Sequence, residues 1–228
     1  YSLRRSGYKV VKDEFLKYFR AGTKAPRAYY VPFSDGQEFA EKNGIIDREK
    51  SDRFLSLDGE WLIKEHTCLE TVKIGEPLTE KIAVPSCVQM KGYDQIQYIN
   101  TRYPFPFDPP YSPKENPTYH YRRTFSLKDV KEKYYLVFEG VDSAFYVFVN
   151  GKEVGYGQIS HAMNEFDITP YVKASENTLD VIVLKKGCCQ PFATGAQPPR
   201  SAPCMAPSIF WRKALSLRHI SATYSFIS

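Results

Sequence analysis

The sequence has no long uninterrupted apolar stretch. Hydrophobic residues make up 43% of its 228 residues, yet no run approaches the roughly 18 to 20 residues that a membrane-spanning helix requires. This excludes a transmembrane helix and predicts a soluble domain with no membrane partner. The hydrophobic fraction, with 15% aromatic residues, is ample for one large packed core.

Cysteine and histidine occur without the spacing of a disulfide framework or a metal site. The five cysteines form no Cys-x-x-Cys motif, and the four histidines form no paired motif. The cysteines are Cys68, Cys87, Cys188, Cys189 and Cys204, and the histidines are His66, His120, His161 and His219. The sequence therefore predicts no metal site, and it predicts that Cys68 and Cys87 are buried free thiols, which fits a reducing compartment.

No acidic residue occurs after Asp180, so the net charge of +5 is unevenly distributed. Residues 185–228 hold six of the 31 Lys and Arg and none of the 26 Asp and Glu, which leaves the first 184 residues close to neutral. A nucleic-acid-binding face needs basic residues clustered on the folded surface. The sequence therefore argues against a nucleic-acid partner.

Residues 1–53 differ in pattern from the rest of the chain, and we interpret them as an irregular or helical N-terminal extension. Apolar residues between Val10 and Phe19 recur at near-helical spacing. Ser34 and Gln37 resemble a capping box, which predicts a short helix ending near Asn43-Gly44.

Asn150-Gly151 lies between two runs of strand-forming residues and predicts a two-residue hairpin turn. That turn would pair Val147 with Val154 and Phe145 with Tyr156, with the odd positions of the first strand facing a core. On the opposite face, Gly155 and Gly157 would leave room for the aromatic residues of the first strand or for a neighbouring layer.

Other short strands, divided by turn signals, surround this hairpin. They are predicted at 60–64, 81–84, 119–125, 134–138, 165–168 and, after a Glu176-Asn177 turn, 178–184. Strands of this length and spacing predict an all-β fold over residues 54–184, an antiparallel two-sheet sandwich of the jelly-roll type. Residues 85–117 interrupt the series with an aromatic and proline-rich stretch, which we expect to line a site or an interface.

Residues 185–228 form the third predicted segment, an atypical basic tail. Its composition is that of a shifted reading frame or of a disordered extension, and it lacks the alternation that would finish a sheet. Without closing strands, the sheet would have an unpaired edge near 181–184.

Several ordered motifs resemble one family. The chain is similar to the N-terminal sugar-binding sandwich of bacterial β-galactosidases of glycoside hydrolase family 2 over about residues 50–184. The motifs are Ser56-Leu57-Asp58-Gly59-Glu60-Trp61, Val84-Pro85-Ser86, Gly92-Tyr93-Asp94, Tyr103-Pro104-Phe105-Pro106, Asp108-Pro109-Pro110-Tyr111, Glu115-Asn116-Pro117-Thr118, Tyr121-Arg122-Arg123-Thr124-Phe125, Gly140 to Gly155, and Glu165-Phe166-Asp167-Ile168.

The resemblance implies a retaining β-galactosidase in which two glutamates on a later barrel domain act as acid and nucleophile. No such barrel lies within these 228 residues, so we expect no catalytic residue in this chain and no activity from it alone. The acidic residues of its loops and strand ends are expected in turns or on the surface. They are Asp108, Glu115, Asp142, Glu165 and Asp167.

The resemblance also implies one sugar contact. An asparagine in the family's Tyr-Thr-Asn-Val segment reaches the galactose, and Tyr98-Ile99-Asn100-Thr101 aligns with that segment. Asn100 is therefore the predicted substrate-binding residue, because its amide can both donate to and accept from neighbouring hydroxyls. The alternative is that Asn100 only satisfies loop backbone. Tyr103 and Phe105 are expected to pack against neighbouring prolines.

The chain also departs from the family pattern. Ser86-Cys87-Val88-Gln89 replaces Ser-Asn-Trp-Gln, and Tyr119-His120 stands where Gly-Cys is common. Lys185-Lys186 begins the stretch that replaces the segments carrying a sodium-binding aspartate. Since no carboxylate side chain occurs after Asp180, that site does not fit these residues. We expect no cofactor in this chain, whereas the parent family uses magnesium and sodium.

Three functional classes remain open from the sequence. The first is the sugar-binding domain of a β-galactosidase-like enzyme, working with a β-galactoside and the remaining domains of a homo-oligomeric, cytoplasmic bacterial enzyme. The second is a free-standing carbohydrate-binding module, and the third is a structural sandwich that mediates assembly. Glucuronidase and mannosidase relatives are the alternative enzymes. The first residue is Tyr1 rather than Met, which leaves open a preceding signal peptide.

Overall fold

The structure is a computed structural model. It describes residues 19–37, 41–42, 44–94, 115–127, 130–158, 162–186, 208–209 and 215–220. Within these ranges no helix has the length and apolarity needed to cross a membrane.

Fifteen strands and four single-turn 3₁₀ helices are described. The strands are β1 (Arg20–Ala21), β2 (Glu41–Lys42), β3 (Ile45–Ile46), β4 (Phe54–Ser56), β5 (Gly59–His66), β6 (Glu80–Val84), β7 (Ser86–Cys87), β8 (Thr118–Ser126), β9 (Lys133–Phe138), β10 (Ala144–Val149), β11 (Lys152–Gly157), β12 (Asn164–Asp167), β13 (Glu176–Leu184), β14 (Ser208–Ile209) and β15 (Leu215–Ile220). The 3₁₀ helices are Arg48–Lys50, Leu69–Thr71, Val88–Lys91 and Thr169–Tyr171.

Two main antiparallel sheets form the fold. The larger has seven strands in the order β1-β11-β10-β13-β8-β5-β6, and the smaller has four in the order β12-β9-β15-β4. β14 pairs with β7 and β2 pairs with β3 in two minor ladders. The predicted all-β antiparallel sandwich is confirmed, and no α-helix occurs in the described ranges.

The core fills the space between the two main sheets. Trp61 and Ile63 on β5, and Tyr119 and Tyr121 on β8, are almost completely buried there. The same cluster includes Phe138 on β9 of the smaller sheet. Because successive side chains of a strand point to opposite faces, the other residues of β5 and β8 face away from this core.

The hairpin of β10 and β11 has the predicted turn. Asn150 and Gly151 both adopt positive φ, 51° and 77°, as a type I′ turn requires. The Asn150 side chain donates to the Tyr171 carbonyl (2.8 Å) and accepts from the Thr178 amide (3.1 Å). The odd positions of β10 face the core, as predicted.

The predicted pairing beyond this turn is wrong, because a β-bulge shifts the register between Val147 and Phe148. Val147 lies opposite Gly155 and Phe145 opposite Gly157, while Tyr156 moves to the outer face.

The bulge places Gly155 and Gly157 on the core face, whereas the sequence predicted them on the opposite face. They leave room for core rings, since a Cβ on Gly155 would lie 2.6 Å from the Phe166 ring and one on Gly157 2.8 Å from the Phe145 ring.

The predicted Glu176-Asn177 turn is also wrong. Both residues already belong to β13 and pair with β8. The Asn177 side chain closes the preceding turn instead: it accepts from the Lys173 amide at 2.7 Å and donates to the Ser175 carbonyl at 2.9 Å.

The described part of the N-terminal extension lies along the sandwich. β1 pairs with the outer side of β11, and the Lys24 amide donates to the Glu165 carbonyl at 2.7 Å. Ion pairs add to these contacts, joining Arg27 to Glu165, Arg48 to Glu139 and Arg53 to Glu132.

The short helix predicted from Ser34 is wrong. β2 and β3 form a hairpin over 41–46, and the Gln37 side chain donates to the Lys50 carbonyl and accepts from the Asp52 amide instead of capping a helix. The helical pattern between Val10 and Tyr18 lies outside the described residues.

A strand in the C-terminal segment was missed from the sequence. β15 lies between β9 and β4 in the smaller sheet. The expected unpaired edge at 181–184 is wrong, because β13 pairs with β10 on one side and β8 on the other.

Gly155→Ala tests the packing of the hairpin against the smaller sheet. Its Cβ would lie 2.4 Å from the Ala21 carbonyl oxygen and 2.6 Å from the Phe166 ring, so we expect a loss of about 3 kcal/mol in unfolding free energy. Gly36→Ala is the control, since its Cβ meets nothing within 4 Å and only the positive φ of 78° is penalised, by about 1 kcal/mol. Urea denaturation measures both, and an equal or smaller loss for Gly155→Ala would contradict this packing.

Deletion of residues 210–228 tests the pairing of β15. Since β15 is the one strand that pairs with β4 among the described strands, we expect the melting temperature to fall by about 5 °C. Deletion of residues 221–228 alone is the control and leaves β15 intact. Equal melting temperatures for the two truncated chains would show that β15 adds no stability.

Candidate functional site

Of the aromatic and proline-rich segment 85–117 that was predicted to line a site, the structure describes residues 85–94 and 115–117. Residues 95–114 lie outside the described ranges, and with them Asn100, Tyr103, Phe105 and Asp108. The described geometry is therefore that of the residues on either side of 95–114 and of their partners. We call the two ends and their partners the segment base: Gln89, Asp94, Asn116, Lys185 and Lys186.

The departing end of the segment base is held by an ion pair. The Lys185 ammonium lies 2.5 Å from Asp94 Oδ2, and both side chains are nearly buried, with 10% and 13% of their surfaces exposed. The Gln89 amide donates to the same carboxylate oxygen at 3.2 Å. Such a low-exposure pair fixes the position of Asp94 better than a solvated one does.

The returning end is held by two hydrogen bonds to one backbone unit. Asn116 Nδ2 donates to the Lys186 carbonyl at 2.7 Å, and the Lys186 amide donates to Asn116 Oδ1 at 2.9 Å. The Lys185 amide donates to the Pro117 carbonyl at 2.9 Å. Both ends of the segment are thus tied to the two residues directly after β13.

The loop that approaches Asp94 packs without the tryptophan usual in the family. Val88 is fully buried in the core at that position, and the 3₁₀ helix Val88–Lys91 ends at Gly92 with φ 83°. The Tyr93 amide donates to the Val88 carbonyl at 3.1 Å. Cys87 is half-buried rather than buried, as is Cys68.

Charges beside the segment base affect neighbouring groups. Burial raises the pKa of Glu65, and the negative charge of Asp94 raises it further, against the opposing effect of Lys185. Burial also raises the pKa of the Tyr119 phenol, with the same two carboxylates adding to the shift, so that this hydroxyl stays protonated.

Two of the acidic residues expected in turns or on the surface, Glu165 and Asp167, have structural partners. Both oxygens of Glu165 accept from Arg27, and Asp167 Oδ1 accepts from the Thr169 amide at 3.0 Å. Asp142 is buried. The Thr169 contact agrees with the turn role expected for Asp167, whereas the expectation is wrong for Glu165, which is buried within β12 and paired with Arg27.

Sequence reasoning missed the residues that hold the segment base. It assigned Lys185 and Lys186 to the atypical tail, and no periodicity links them to Asp94 or Asn116. The available signal was that Asp94 and Asn116 both occur within the family-like motifs that flank the segment.

A double-mutant cycle tests the ion pair at the segment base. We expect Asp94→Asn and Lys185→Met to show a coupling energy of about 1–2 kcal/mol in urea unfolding, because each single change leaves a nearly buried charge without its partner. The pair of Glu60 and Lys81, with more than 60% of each side chain exposed, is the control, and its cycle should give a value close to zero. Equal couplings would mean that the Lys185 pair does not fix the segment base.

Comparison with known proteins places this architecture in a family. The family model described as "Glycosyl hydrolases family 2, sugar binding domain" matches residues 54–191. Curated relatives include the β-galactosidases of Staphylococcus xylosus, 44% identical over 70% of this chain, and of Actinobacillus pleuropneumoniae, 40% identical over 69%. The chain covers 16% of the length of each of these relatives.

Solved structures share the fold at low identity. The Bifidobacterium dentium β-glucuronidase complexed with coumarin-3-O-glucuronide is similar over 76% of this chain and 31% of that chain, with a TM-score of 0.52 and 18% sequence identity. Together with the match over 54–191, these observations show that the chain belongs to the glycosyl hydrolase family 2 sugar-binding domain family.

Proposed function

We propose that this sandwich is the sugar-binding domain of a β-galactosidase-like glycosidase and that residues 95–114 supply one wall of the galactoside pocket. The observation that carries the proposal is the segment base, where Lys185 and Lys186 hold both ends of this segment within the matched range. A segment that is fixed at both ends presents its side chains to a ligand at a lower entropic cost than a free loop does.

Asn100 is the proposed sugar contact. Its amide can donate to one hydroxyl and accept from the next, which suits a pair of hydroxyls on a pyranose. The hydrolytic step, with one carboxyl as acid and a second as nucleophile, belongs in this proposal to another domain of the parent enzyme. The magnesium and sodium of the family would likewise be held elsewhere in that enzyme.

A galactoside is favoured over a glucuronide by the sequence relatives. The curated relatives named β-galactosidase reach 44% identity, whereas the β-glucuronidase structure is 18% identical and supports the fold alone. Substrate class is therefore inferred from the closer sequence likeness.

The cellular setting is part of the same proposal. Cys68 and Cys87 are free thiols, which fits a reducing cytoplasm. The partners would be the β-galactoside and the remaining domains of a homo-oligomeric enzyme. Nucleic acid and membrane are not proposed as partners.

A chimaera tests the role of Asn100. Residues 1–191 would replace the corresponding part of the Staphylococcus xylosus β-galactosidase, and hydrolysis of a chromogenic β-galactoside would be measured. We expect an active chimaera in which Asn100→Ala lowers kcat/KM by about 10- to 100-fold, since one or two hydrogen bonds to the sugar are lost. Asn43→Ala, outside the matched range, is the control and should leave kcat/KM unchanged.

Two results would contradict the proposal. Equal kcat/KM for the Asn100→Ala and Asn43→Ala chimaeras would remove Asn100 from the sugar site, and hydrolysis of β-glucuronides alone would change the substrate class.

The isolated chain provides a further comparison. One wall of a pocket should bind galactosides too weakly to detect, so affinity that Asn100→Ala abolishes would point to a free-standing module. A concentration-dependent mass without a sugar response would point to an assembly role.

A further inference from the structure

The outer face of the seven-stranded sheet, turned away from the core, carries a group of ionisable side chains. His66 on β5 and His120 on β8 face this side, and His120 is fully buried there. Residues 67–79, which connect β5 to β6, bring Glu76 beside both histidines. We call these three residues the outer-face cluster. They take no part in the proposed sugar site.

The potential ligand atoms of the outer-face cluster converge. Glu76 Oε1 lies 3.0 Å from His66 Nε2 and 3.4 Å from His120 Nδ1. One potential ligand atom from each of the three residues lies within 4.8 Å of the other two. Ligands bound tetrahedrally to zinc at about 2.0–2.1 Å are separated by about 3.4 Å. The spacing of the cluster therefore matches that of ligands around one small cation.

The contact of His66 with Thr71 determines which of its nitrogens carries the proton. The Thr71 hydroxyl donates its one hydrogen to the Cys68 carbonyl at 2.8 Å, so at 3.3 Å from His66 Nδ1 its oxygen accepts. Nδ1 is then the N–H of a neutral ring, and Nε2 carries a lone pair. This Nε2 is buried and makes no hydrogen bond of acceptable geometry, although Glu76 Oε1 is close.

The same reasoning applies to His120. Its Nε2 lies 2.7 Å from Asp180 Oδ1, a carboxylate oxygen that also accepts from Arg122 Nε at 2.6 Å. Nε2 must therefore donate, and Nδ1 is the nitrogen that faces Glu76 Oε1. A histidine held by a carboxylate at its far nitrogen is the arrangement found at zinc sites.

With Nδ1 of His120 unprotonated, two imidazole lone pairs and one carboxylate oxygen face one another, and a cation between them would stabilise this arrangement. Glu76 is oriented by Lys64, which pairs with Oε2, and by the Lys73 amide, which donates to Oε1 at 3.2 Å. Burial lowers the pKa of His66.

We propose that His66 Nε2, His120 Nδ1 and Glu76 Oε1 bind a divalent first-row transition metal ion, with zinc as the expected occupant. Two imidazoles with one carboxylate suit zinc and its neighbours, whereas calcium and magnesium prefer oxygen ligands alone. Lys64 pairs with the other Glu76 oxygen, and Oε1, which accepts from the Lys73 amide at 3.2 Å, has a second lone pair for the metal. Asp180 and Thr71 are positioning residues that orient the two rings.

The proposed ion would fasten residues 67–79 to the sheet. Val72 on this segment packs in the outer apolar cluster with Tyr146, Ile182 and Leu184, and Ile74 lies against the same cluster. Glu76 lies two residues beyond Ile74, so a metal bond there would hold the segment over these side chains. The proposed role is structural.

Zinc titration of the full chain, after treatment with chelator, tests the proposal. Calorimetry with ZnCl₂ should show saturable zinc binding. The melting temperature should rise by about 5 °C at saturating zinc but not with MgCl₂. His66→Gln and Glu76→Gln should each weaken this binding by about 100-fold or more, and Asp180→Asn by about 10- to 100-fold. Glu60→Gln, an exposed change on β5, is the matched control and should retain the affinity.

Histidine ¹⁵N resonances of the unsubstituted chain provide a test that does not depend on variant folding. Zinc should shift the signals of His66 Nε2 and His120 Nδ1, while His66 Nδ1 and His120 Nε2 remain protonated. Unchanged histidine signals in the presence of zinc would overturn the proposal, and so would two doubly protonated rings at neutral pH. Zinc affinity that survives His66→Gln, with cobalt spectra showing thiolate charge transfer, would assign the binding to cysteines and would also overturn it.

Discussion

The central strands of the seven-stranded sheet are buried on both faces, and the rest of the structure depends on that constraint. β10 is buried at every position and β13 along nearly all of its length. The smaller sheet covers one face, and β1 with residues 67–79 covers part of the other. Because the outer face includes the fully buried His120 and the nearly buried Asp180, its polar groups must find partners within the protein.

The position of β13 connects this constraint to the proposed sugar site. β13 lies between β8 and β10 in the sheet, and the two residues directly after it, Lys185 and Lys186, emerge beside both ends of the 95–114 segment. The segment base therefore depends on a central strand rather than on a mobile edge. A binding loop supported in this way can differ in sequence while its attachment to the sandwich stays constant.

Local patterns predicted the fold well, whereas long-range pairing was not predictable. The alternation of apolar residues and the Asn150-Gly151 pair located the strands and the hairpin turn. The bulge opposite the step from Val147 to Phe148 was missed because a one-residue register shift leaves the hydrophobic pattern of β10 unchanged. The helix expected from Ser34 failed because Gln37 bonds to the distant Lys50 and Asp52.

The contacts of the candidate sites could not be predicted from sequence spacing, because they also depend on long-range strand pairing. His66 and His120 show no ligand motif along the chain, and pairing of β5 with β8 brings them together. The prediction of Asn100 rests on family likeness alone.

The most direct test of the account is a crystal structure of the chimaera with a β-galactoside bound. The account predicts the Asn100 amide within about 3 Å of a galactose hydroxyl. A bound sugar whose contacts all come from other segments would contradict it.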